Sequence, residues 1–478
     1  MPVQHNAGGG KDPYGDRAGE EDTHEGMTGQ QDRLNLPVRP SSDAKVRHLQ
    51  RRLWAAAKRS PGRRFHALYD RIHRDDVLWV AWERVKRNRG AAGVDAQTLA
   101  DVERYGVDRF LGELQADLRA KRYRPEAVRR RYIEKDGGKL RPLGIPTVRD
   151  RVAQMAAKIV LEPIFEARFL PCSFGFRPRR GATQALETLR RRAYRDRDGN
   201  HVLDADIRGY FDAIDQERLM HEVERSVSDR RVQKLLRQWL RSGVMEEGRV
   251  RVATTGTPQG GVISPLLANI YLHVLDERWL RAHAHLGTLV RYADDFVVIC
   301  DTAEQCEEAE RVIRGILGEL GLELHPEKTR RVELTEGKAG FEFLGCHLHK
   351  RMSGRIWEQY GRRRYYLQRW PSAKAMKRLR QRVRETVGPH RNGVRDLRVL
   401  IRDLNPLLRG WGAYFRTGNA ARKFNQLDTY VWRRLRHFLV RRKGRHLRAG
   451  EAEQWTRSFL WALGLHRLRG TVKYPEAA

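Results

Sequence analysis

Cysteine is scarce in this sequence, and its few cysteines are not spaced for metal binding. The 478 residues include Cys172, Cys300, Cys306 and Cys346, and no Cys-x-x-Cys pair occurs. Structural zinc sites usually draw on such closely spaced pairs, and disulfide frameworks occur in short, cysteine-dense secreted chains. The composition therefore argues against both a structural zinc site and a disulfide-stapled fold.

Long apolar runs are also missing. No apolar stretch approaches the roughly 18 residues that a membrane-spanning helix requires. The N-terminus is polar and rich in glycine, without the apolar core of a signal peptide. We therefore expect no membrane association and a cytoplasmic location.

Acidic residues are heavily outnumbered, since 94 Lys and Arg residues face 60 Asp and Glu residues and leave a net charge of +34. The excess is uneven. Residues 1–44 carry 4 basic and 8 acidic side chains, whereas residues 362–449 carry 26 basic and 4 acidic ones. A solvated helix face does not need so large an excess, so the charge predicts a nucleic-acid partner.

Composition and hydrophobic pattern divide the chain into five segments, and its length suits about three folded domains. Low hydrophobicity predicts disorder for the acidic tail, whereas periodic apolar residues predict helices and strands elsewhere. The predicted segments are a disordered acidic tail over 1–44, a helical region over 45–125, a mixed helix and strand region over 126–350, a basic helical region over 362–449, and a C-terminal segment over 450–478.

The stretch Leu289–Cys300, LVRYADDFVVIC, is the centre of the functional prediction. Two runs rich in β-branched and aromatic residues flank an Ala-Asp-Asp turn, which predicts a β-hairpin with Asp294 and Asp295 at its tip. Clustered carboxylates provide the oxygen ligands that Mg²⁺ prefers. Taken alone, the pair is equally well explained as an acidic surface turn.

A second acidic strand precedes this hairpin. Side chains alternate along the predicted strand His201–Ile207, so Asp204 and Asp206 share one face. The order strand, helices, hairpin, helix and a last strand at Leu322–His325 is that of a ferredoxin-like βαββαβ sheet. In such a sheet the first strand lies beside the hairpin, which brings Asp206 close to the two hairpin carboxylates.

Three converging carboxylates suit two Mg²⁺ ions about 3.5–4 Å apart, the arrangement of two-metal catalysis. One ion would activate a 3′-hydroxyl and the other would stabilise the leaving pyrophosphate, which is template-directed nucleotidyl transfer from a dNTP. We expect Asp206 and Asp294 to bridge the ions, Asp295 to support them, and the carbonyl of Ile207 to complete the metal site.

Several further residues suit nucleotide binding, and the cationic ones among them also have a plainer explanation. Lys139 and Arg141 lie near the tip of a predicted hairpin, where they suit triphosphate oxygens or simply promote solubility. Phe211 follows Asp206 closely and would block a 2′-hydroxyl on the incoming nucleotide. Lys328 would protonate the leaving group, or it is an ordinary surface lysine.

Two arginines in loops suit contacts with RNA. Arg89 lies in the glycine-punctuated loop 86–95, which suits a clamp on a phosphate backbone or an ordinary exposed connection. Arg177 follows two phenylalanines in Phe174–Pro178, where the aromatic rings suit stacking on bases or packing in a core. The glycine-rich loop 255–261 lets backbone approach a ligand closely.

Six motifs then occur in a characteristic order within about residues 85–350. They are Lys139–Thr147 (KLRPLGIPT), Ser173–Pro178 (SFGFRP), Asp204–Asp212 (DADIRGYFD), Thr257–Pro265 (TPQGGVISP), Tyr292–Asp295 (YADD) and Leu324–Thr329 (LHPEKT). Together they resemble the reverse transcriptases of bacterial group II introns, which are also maturases.

The resemblance implies an α+β, right-hand polymerase with fingers, a ferredoxin-like βαββαβ palm and an α-helical thumb and maturase domain. Position by position, it assigns metal binding to Asp206, Asp294 and Asp295, the nascent base pair to Gln259 and Gly260, and the sugar-gate position to Phe211.

The resemblance continues downstream, where Leu404–Phe415 and the following helices are similar to the family's thumb and maturase region. The helical pattern buries apolar residues there and leaves cationic ones for RNA phosphates, namely Arg433, Arg434, Arg441, Arg442 and Lys443. The implied partners are group II intron RNA, an RNA template with a DNA primer, and target DNA.

We therefore expect an RNA-directed DNA polymerase that also binds its intron RNA and supports splicing and retromobility. Many relatives carry a C-terminal endonuclease with paired zinc cysteines; we expect none here, so primers would come from ends made by other means. Two alternatives remain open. One is an RNA-binding splicing cofactor without polymerase activity, and the other is a group II-like reverse transcriptase recruited to phage defence or DNA repair.

Overall fold

The computed structural model describes residues 40–134, 138, 140–194, 199–246, 249–251, 256, 260–388, 393–394 and 396–473. The predictions for Lys139, Gln259 and the acidic tail as far as residue 39 lie outside the described residues.

Helices and strands occur in separate runs along the chain, as expected for an α+β protein. The helices are α1 (Pro40–Arg59), α2 (Tyr69–Ile72), α3 (Asp75–Arg87), α4 (Leu99–Tyr105), α5 (Val107–Arg119), α6 (Val148–Glu166), α7 (Ala182–Arg192), α8 (Tyr210–Ala213), α9 (Gln216–Glu224), α10 (Arg230–Leu240), α11 (Ser264–Arg278), α12 (Ala303–Glu319), α13 (Gly354–Tyr360), α14 (Ala373–Thr386), α15 (Leu397–Phe415), α16 (Ala421–Lys443) and α17 (Arg457–Ala462). The strands are β1 (Val128–Glu134), β2 (Leu140–Ile145), β3 (His201–Asp206), β4 (Val244–Glu246), β5 (Arg249–Arg251), β6 (Thr288–Tyr292), β7 (Asp295–Cys300), β8 (Arg330–Glu333), β9 (Gly340–Phe343), β10 (Cys346–Met352) and β11 (Tyr365–Pro371).

The N-terminal region is helical, as predicted, but its first helix starts earlier than expected. Helix α1 begins at Pro40, inside the segment predicted to be disordered. Proline suits the first turn of a helix, and Asp43 in that turn complements the positive end of the helix dipole. Helix α1 packs against α3 and α6, which form the fingers side of the protein with the sheet β2-β1-β4-β5.

The palm is an antiparallel sheet with the order β6-β7-β3-β8. This order confirms the predicted βαββαβ arrangement, because the first strand pairs with the second strand of the hairpin. The fourth strand is β8, so the prediction of Leu322–His325 is wrong: that segment contributes a single bridge between Ile207 and Leu324. Pro326 has no N–H to donate and opens a turn over 326–328, and regular pairing with β3 resumes only after it.

Both faces of the palm sheet are buried. Leu203, Phe296 and Val298 face a core built by the helices of the fingers and palm. The opposite face, including Val202 and Val297, belongs to a second core that continues through a further sheet, β11-β10-β9, into the thumb helices. Because side chains alternate between the two faces of the sheet, both cores hold the sheet in place.

The basic C-terminal region contains helices α14, α15 and α16, and strand β11 lies at its start. Helices α14, α15 and α16 bury Leu400, Leu404, Phe424 and Leu427 in the second core. Within the described ranges, no helix combines the length and the apolar character needed to cross a membrane.

Candidate active site

The hairpin of β6 and β7 closes through Ala293 and Asp294, because Tyr292 ends one strand and Asp295 begins the next. Ala293 has φ +60°, in the left-handed region that tight hairpin turns require and that residues with a Cβ adopt at a cost. The surrounding structure must therefore hold this turn in place.

Arg291 provides one such restraint from beneath the turn. Its side chain is fully buried and donates from Nη1 to the carbonyl oxygen of Ala293 at 2.9 Å and to Oδ1 of Asn269 at 3.2 Å. Its Nε and Nη2 donate to both carboxylate oxygens of Asp276, at 2.8 and 2.5 Å. Burial tends to raise the pKa of Asp276, but the guanidinium of Arg291 outweighs it and holds that pKa below its usual value.

The loop that follows α6 restrains the turn from its other side. Gly175 lies against the turn so closely that a Cβ there would be 2.4 Å from the amide nitrogen of Ala293. Its carbonyl accepts a hydrogen bond from Nδ2 of Asn269 at 2.8 Å. The same asparagine therefore links Arg291, the loop and the turn.

Arg177 holds this loop in shape and is itself buried. It forms an ion pair with Glu166 and donates from Nη1 to the carbonyls of Leu170 and Ser173 at 2.6 and 2.8 Å. The prediction that Arg177 contacts RNA is wrong, because its guanidinium is enclosed and engaged within the protein.

Three carboxylates meet above the turn. The register of β3 and β7 places Asp206 directly opposite Asp295, and Asp294 is the adjacent turn residue. Burial and the negative charges of Asp294 and Asp206 raise the pKa of Asp295 to about 7. Burial, together with the charge of Asp206, likewise raises the pKa of Asp294. The structure thus brings together the three residues that the sequence predicted would converge.

The donor set fits a divalent cation. Carboxylates that raise one another's pKa are stabilised by a positive charge between them, and an all-oxygen set suits Mg²⁺. The Lys328 ammonium lies on the Asp206 carboxylate and supplies such a charge. Among the described residues, no three His, Cys, Asp or Glu side chains are already arranged around one metal position.

An open groove of about 310 Å³ runs from these carboxylates to the turn between β9 and β10. Its lining includes Asp204, Asp206, Asp295, Lys328, Arg330, Glu342, Phe343 and Leu344.

Two family models match the chain in succession. The model described as "Reverse transcriptase (RNA-dependent DNA polymerase)" matches residues 133–348, and "Group II intron, maturase-specific domain" matches residues 376–461. Protein YkfC of Escherichia coli strain K12 is 35% identical over 345 residues, which cover 64% of this chain and 89% of YkfC. The chain belongs to the group II intron reverse transcriptase and maturase family.

A second protein and one solved structure are also similar to this chain. The group II intron-encoded protein LtrA of Lactococcus lactis subsp. cremoris is 30% identical over 357 residues, which cover 61% of this chain and 58% of LtrA. A telomerase structure from Candida albicans overlaps 72% of this chain and 67% of its own, with a TM-score of 0.38 and 11% identity. The matched reverse transcriptase model makes the enzyme class an RNA-directed DNA polymerase.

The structure places the predicted nucleotide-binding residues in different environments. The positive charge of Arg141, an exposed residue of β2, lowers the pKa of Asp294 and so acts on the site. Phe211 is half-buried and packs on Tyr210, with ring centroids 5.4 Å apart. Gly260 has φ +113°, and a Cβ there would lie 2.4 Å from the carbonyl oxygen of Gly144 in β2. Ile207 has a buried side chain, so only its backbone carbonyl is available as a ligand.

The cationic residues predicted to bind RNA lie mostly on the surface. Arg89 is exposed in its loop with φ +48°. On α16, Arg433, Arg441 and Arg442 are exposed and Arg434 is half-buried. Lys443 pairs with Glu451 at 2.7 Å, so its charge is partly neutralised within the reverse transcriptase itself.

Sequence reasoning missed Arg291, Asn269 and Asp276, although one feature pointed to them. Arg291 interrupts an apolar strand three residues before Asp294, the first residue of the acidic pair. A cation in a strand buried on both faces requires a buried anionic partner. That partner, Asp276, lies on α11, 15 residues earlier.

Proposed function

We propose that this protein copies RNA into DNA with two Mg²⁺ ions held by Asp206, Asp294 and Asp295. The observation that carries this proposal is the meeting of three carboxylates at the paired ends of β3 and β7, with the pKa of Asp295 raised to about 7. Bound Mg²⁺ would activate the primer 3′-hydroxyl and neutralise the departing pyrophosphate.

The protein's own residues would position the reactants. Asp206, Asp294, Asp295 and the carbonyl of Ile207 would hold the ions. Lys328 would leave Asp206 and give a proton to the pyrophosphate. We assign the remaining contacts as follows: Lys139 and Arg141 to the triphosphate, Phe211 to the sugar, and Gln259 and Gly260 to the nascent base pair.

We further propose that the partner is group II intron RNA, bound for splicing and for retromobility into target DNA. Support comes from the exposed arginines of α16 and from Arg89. It also comes from a concavity of about 570 Å³ beside α1 whose described lining has no carboxylate and includes His48, Arg51, Arg52, Arg59, Arg63, His66 and Arg71.

Arg71, which lines this concavity, lies close to other arginines that disfavour its charge. Burial and the nearby charges of Arg52, Arg74 and Arg63 lower the pKa of Arg71. A phosphate backbone would relieve this repulsion and release counterions, so we expect binding to weaken steeply with salt. Because intron transcripts are the proposed partner, we propose the cytoplasm as the location.

Primer extension on an RNA template tests the polymerase function. We expect Asp294→Asn to lower the extension rate at least about 10³-fold, because the chemistry depends on the metal charge, with RNA affinity within about twofold of the parent. Asp301→Asn is the matched control, since Asp301 follows the opposite end of β7 and pairs with Arg192 at 2.7 Å. A parent chain that binds intron RNA but extends no primer would instead indicate a splicing cofactor.

A further inference from the structure

The hairpin of β10 and β11 carries a small helix at its end, which we call the tip segment (residues 351–364). The strands close on the pair Met352 and Tyr365, and α13 lies between them. The Ser353 hydroxyl accepts a hydrogen bond from the amide of Ile356, and Gly361 ends the helix in the left-handed conformation. The tip segment is therefore an ordered projection with caps at both ends.

Three large apolar side chains of the tip segment are exposed to water. The structure describes every residue of α13, and none of them is buried. Trp357 is 44% exposed, Tyr360 63% and Met352 41%. Exposed aromatic residues clustered on one projection add little to folding stability and are typical of contact surfaces.

The charge of the tip segment identifies the kind of partner. Its 14 residues include five arginines and one glutamate, Glu358. The Arg363 guanidinium lies 5.8 Å from the ring centre of Trp357, so aromatic and cationic groups are interleaved. Aromatic rings that stack on bases, beside cations that contact phosphates, are the usual elements of a site for single-stranded nucleic acid.

Aromatic and cationic side chains on β10 and β11 lie between the tip segment and the active-site groove. His347 and Arg351 share the outer face of β10, and both lie against Trp370 of β11, at 5.2 and 5.4 Å. Glu342, the cross-strand partner of His347, lines the groove. Seven strand residues span roughly 20 Å, which places the tip segment about that far from the groove.

We propose that the tip segment binds an unpaired strand of nucleic acid, with Trp357 and Tyr360 stacking on bases and Arg355 and Arg363 contacting phosphates. The strand is unpaired because base faces are open to aromatic rings only outside a stacked duplex. This inference rests on the proposed RNA binding and gives it a location separate from the carboxylates. RNA and DNA share the required chemistry, so the experiment compares them.

Binding of labelled oligonucleotides to the full chain tests this proposal. We expect Trp357→Ala/Tyr360→Ala to weaken binding of a 20-nucleotide oligouridine RNA about tenfold or more, and to change binding of a blunt 20-base-pair duplex less than about twofold. The melting temperature should not change, since neither ring is buried. Comparison with oligodeoxyuridine measures how much of the binding affinity depends on the 2′-hydroxyl.

Tyr105→Ala is the matched control. Tyr105 is 43% exposed and lies under the Arg109 guanidinium at 4.6 Å, but its hydroxyl donates to Glu113 in an acidic setting. We expect this variant to bind every probe like the parent. In a second measurement, Arg363→Gln should reduce the slope of log affinity against log salt by about one, and a photo-cross-linking residue in place of Trp357 should capture the unpaired RNA.

The outcomes separate this inference from the proposed function. A parent chain that binds none of the probes would overturn the RNA-binding function itself. A double variant that binds every probe as tightly as the parent would overturn only the role of the tip segment, whose aromatic residues would then contact a different class of partner. Equal losses on unpaired and duplex probes would also overturn it, because stacking requires open bases.

Discussion

Nη1 of Arg291 donates a hydrogen bond to the carbonyl oxygen of Ala293 at 2.9 Å, across the strained turn that carries Asp294. The same guanidinium is paired with Asp276, and both side chains are fully buried. A buried ion pair is rigid because neither partner can exchange its hydrogen bonds for water. The position of Asp294, which we propose as a metal ligand, is thereby tied to a buried charge pair.

Because Arg291 both pairs with Asp276 and supports the turn, we expect a second substitution to restore stability without restoring activity. Arg291→Met should lower the free energy of unfolding by about 3–5 kcal/mol, because Asp276 loses its guanidinium partner in the core and keeps only His273 beside it. Adding Asp276→Leu should recover most of that stability but not the primer-extension rate, because the Ala293 carbonyl still lacks its donor. Urea unfolding and single-turnover extension at several Mg²⁺ concentrations measure the two effects.

The control for the ion-pair variants is Arg369→Met. Arg369 is 3% exposed and pairs with Glu187 at 3.5 Å, away from the turn. We expect this variant to lose stability and to keep the parental extension rate at temperatures where it is folded. Recovery of both stability and rate in the Arg291→Met/Asp276→Leu variant would show that Arg291 serves only the fold.

Gly175 offers an independent test of the same turn. Gly175→Ala would place a Cβ 2.4 Å from the amide of Ala293, so either the loop or the catalytic turn must move. We expect the extension rate to fall at least about tenfold, since misplacement by 1 Å is costly in catalysis. Gly112→Ala in α5 is the control, because a Cβ there has no neighbour within 4 Å. A Gly175→Ala variant with the parental rate would mean that the loop yields and the turn does not depend on it.

The sequence was sufficient to place the carboxylates, because the evidence for them is local and periodic. Alternation along β3 and β7, with the order of strands and helices, fixes which residues face each other, and Asp206 does face Asp295. The same reasoning misplaced the fourth strand, since Leu322 and Leu324 are buried as a strand would be but make only one bridge. A hydrophobic pattern indicates which side chains are buried. It does not indicate whether the backbone of that segment pairs with a neighbouring strand.

Arg177 shows where sequence reasoning lacks the necessary information. Its loop setting beside two phenylalanines is compatible both with an exposed cation and with a buried one. The deciding contact is with Glu166, 11 residues earlier at the end of α6. Only the folded path of the loop brings the two together, and neither composition nor spacing reports that path.

His273 predicts a dependence of stability on pH. Burial lowers its pKa, but hydrogen bonds and the charges of Asp276 and Glu277 outweigh burial and leave that pKa above its usual value. A histidine with a raised pKa in the folded state contributes stability below its unfolded pKa of about 6.5 and loses it as pH rises through the folded value. We therefore expect stability to decline from pH 6 upward over this window.

Urea unfolding across that pH range measures the effect of His273. His273→Gln should be less stable than the parent at pH 6 and should show a flatter profile above it. His66→Gln serves as the control, because His66 is an exposed residue at the surface. A His273→Gln profile parallel to that of the parent would assign the pH dependence to other groups.

A substitution of Lys328 can distinguish its proposed proton donation from the electrostatic effect of its positive charge. Its ammonium pairs with Asp206 while its side chain is 59% exposed, so it is able to move toward a leaving group. Lys328→Arg keeps the positive charge but removes a usable proton, because the pKa of arginine exceeds 12. We expect single-turnover incorporation to slow about 10²-fold, whereas Lys338→Arg, at an exposed lysine paired with Glu333 at 2.9 Å, should have no effect. If Lys328→Arg incorporates nucleotides at the parental rate, the lysine acts only as a counter-charge to Asp206 and the proton comes from water.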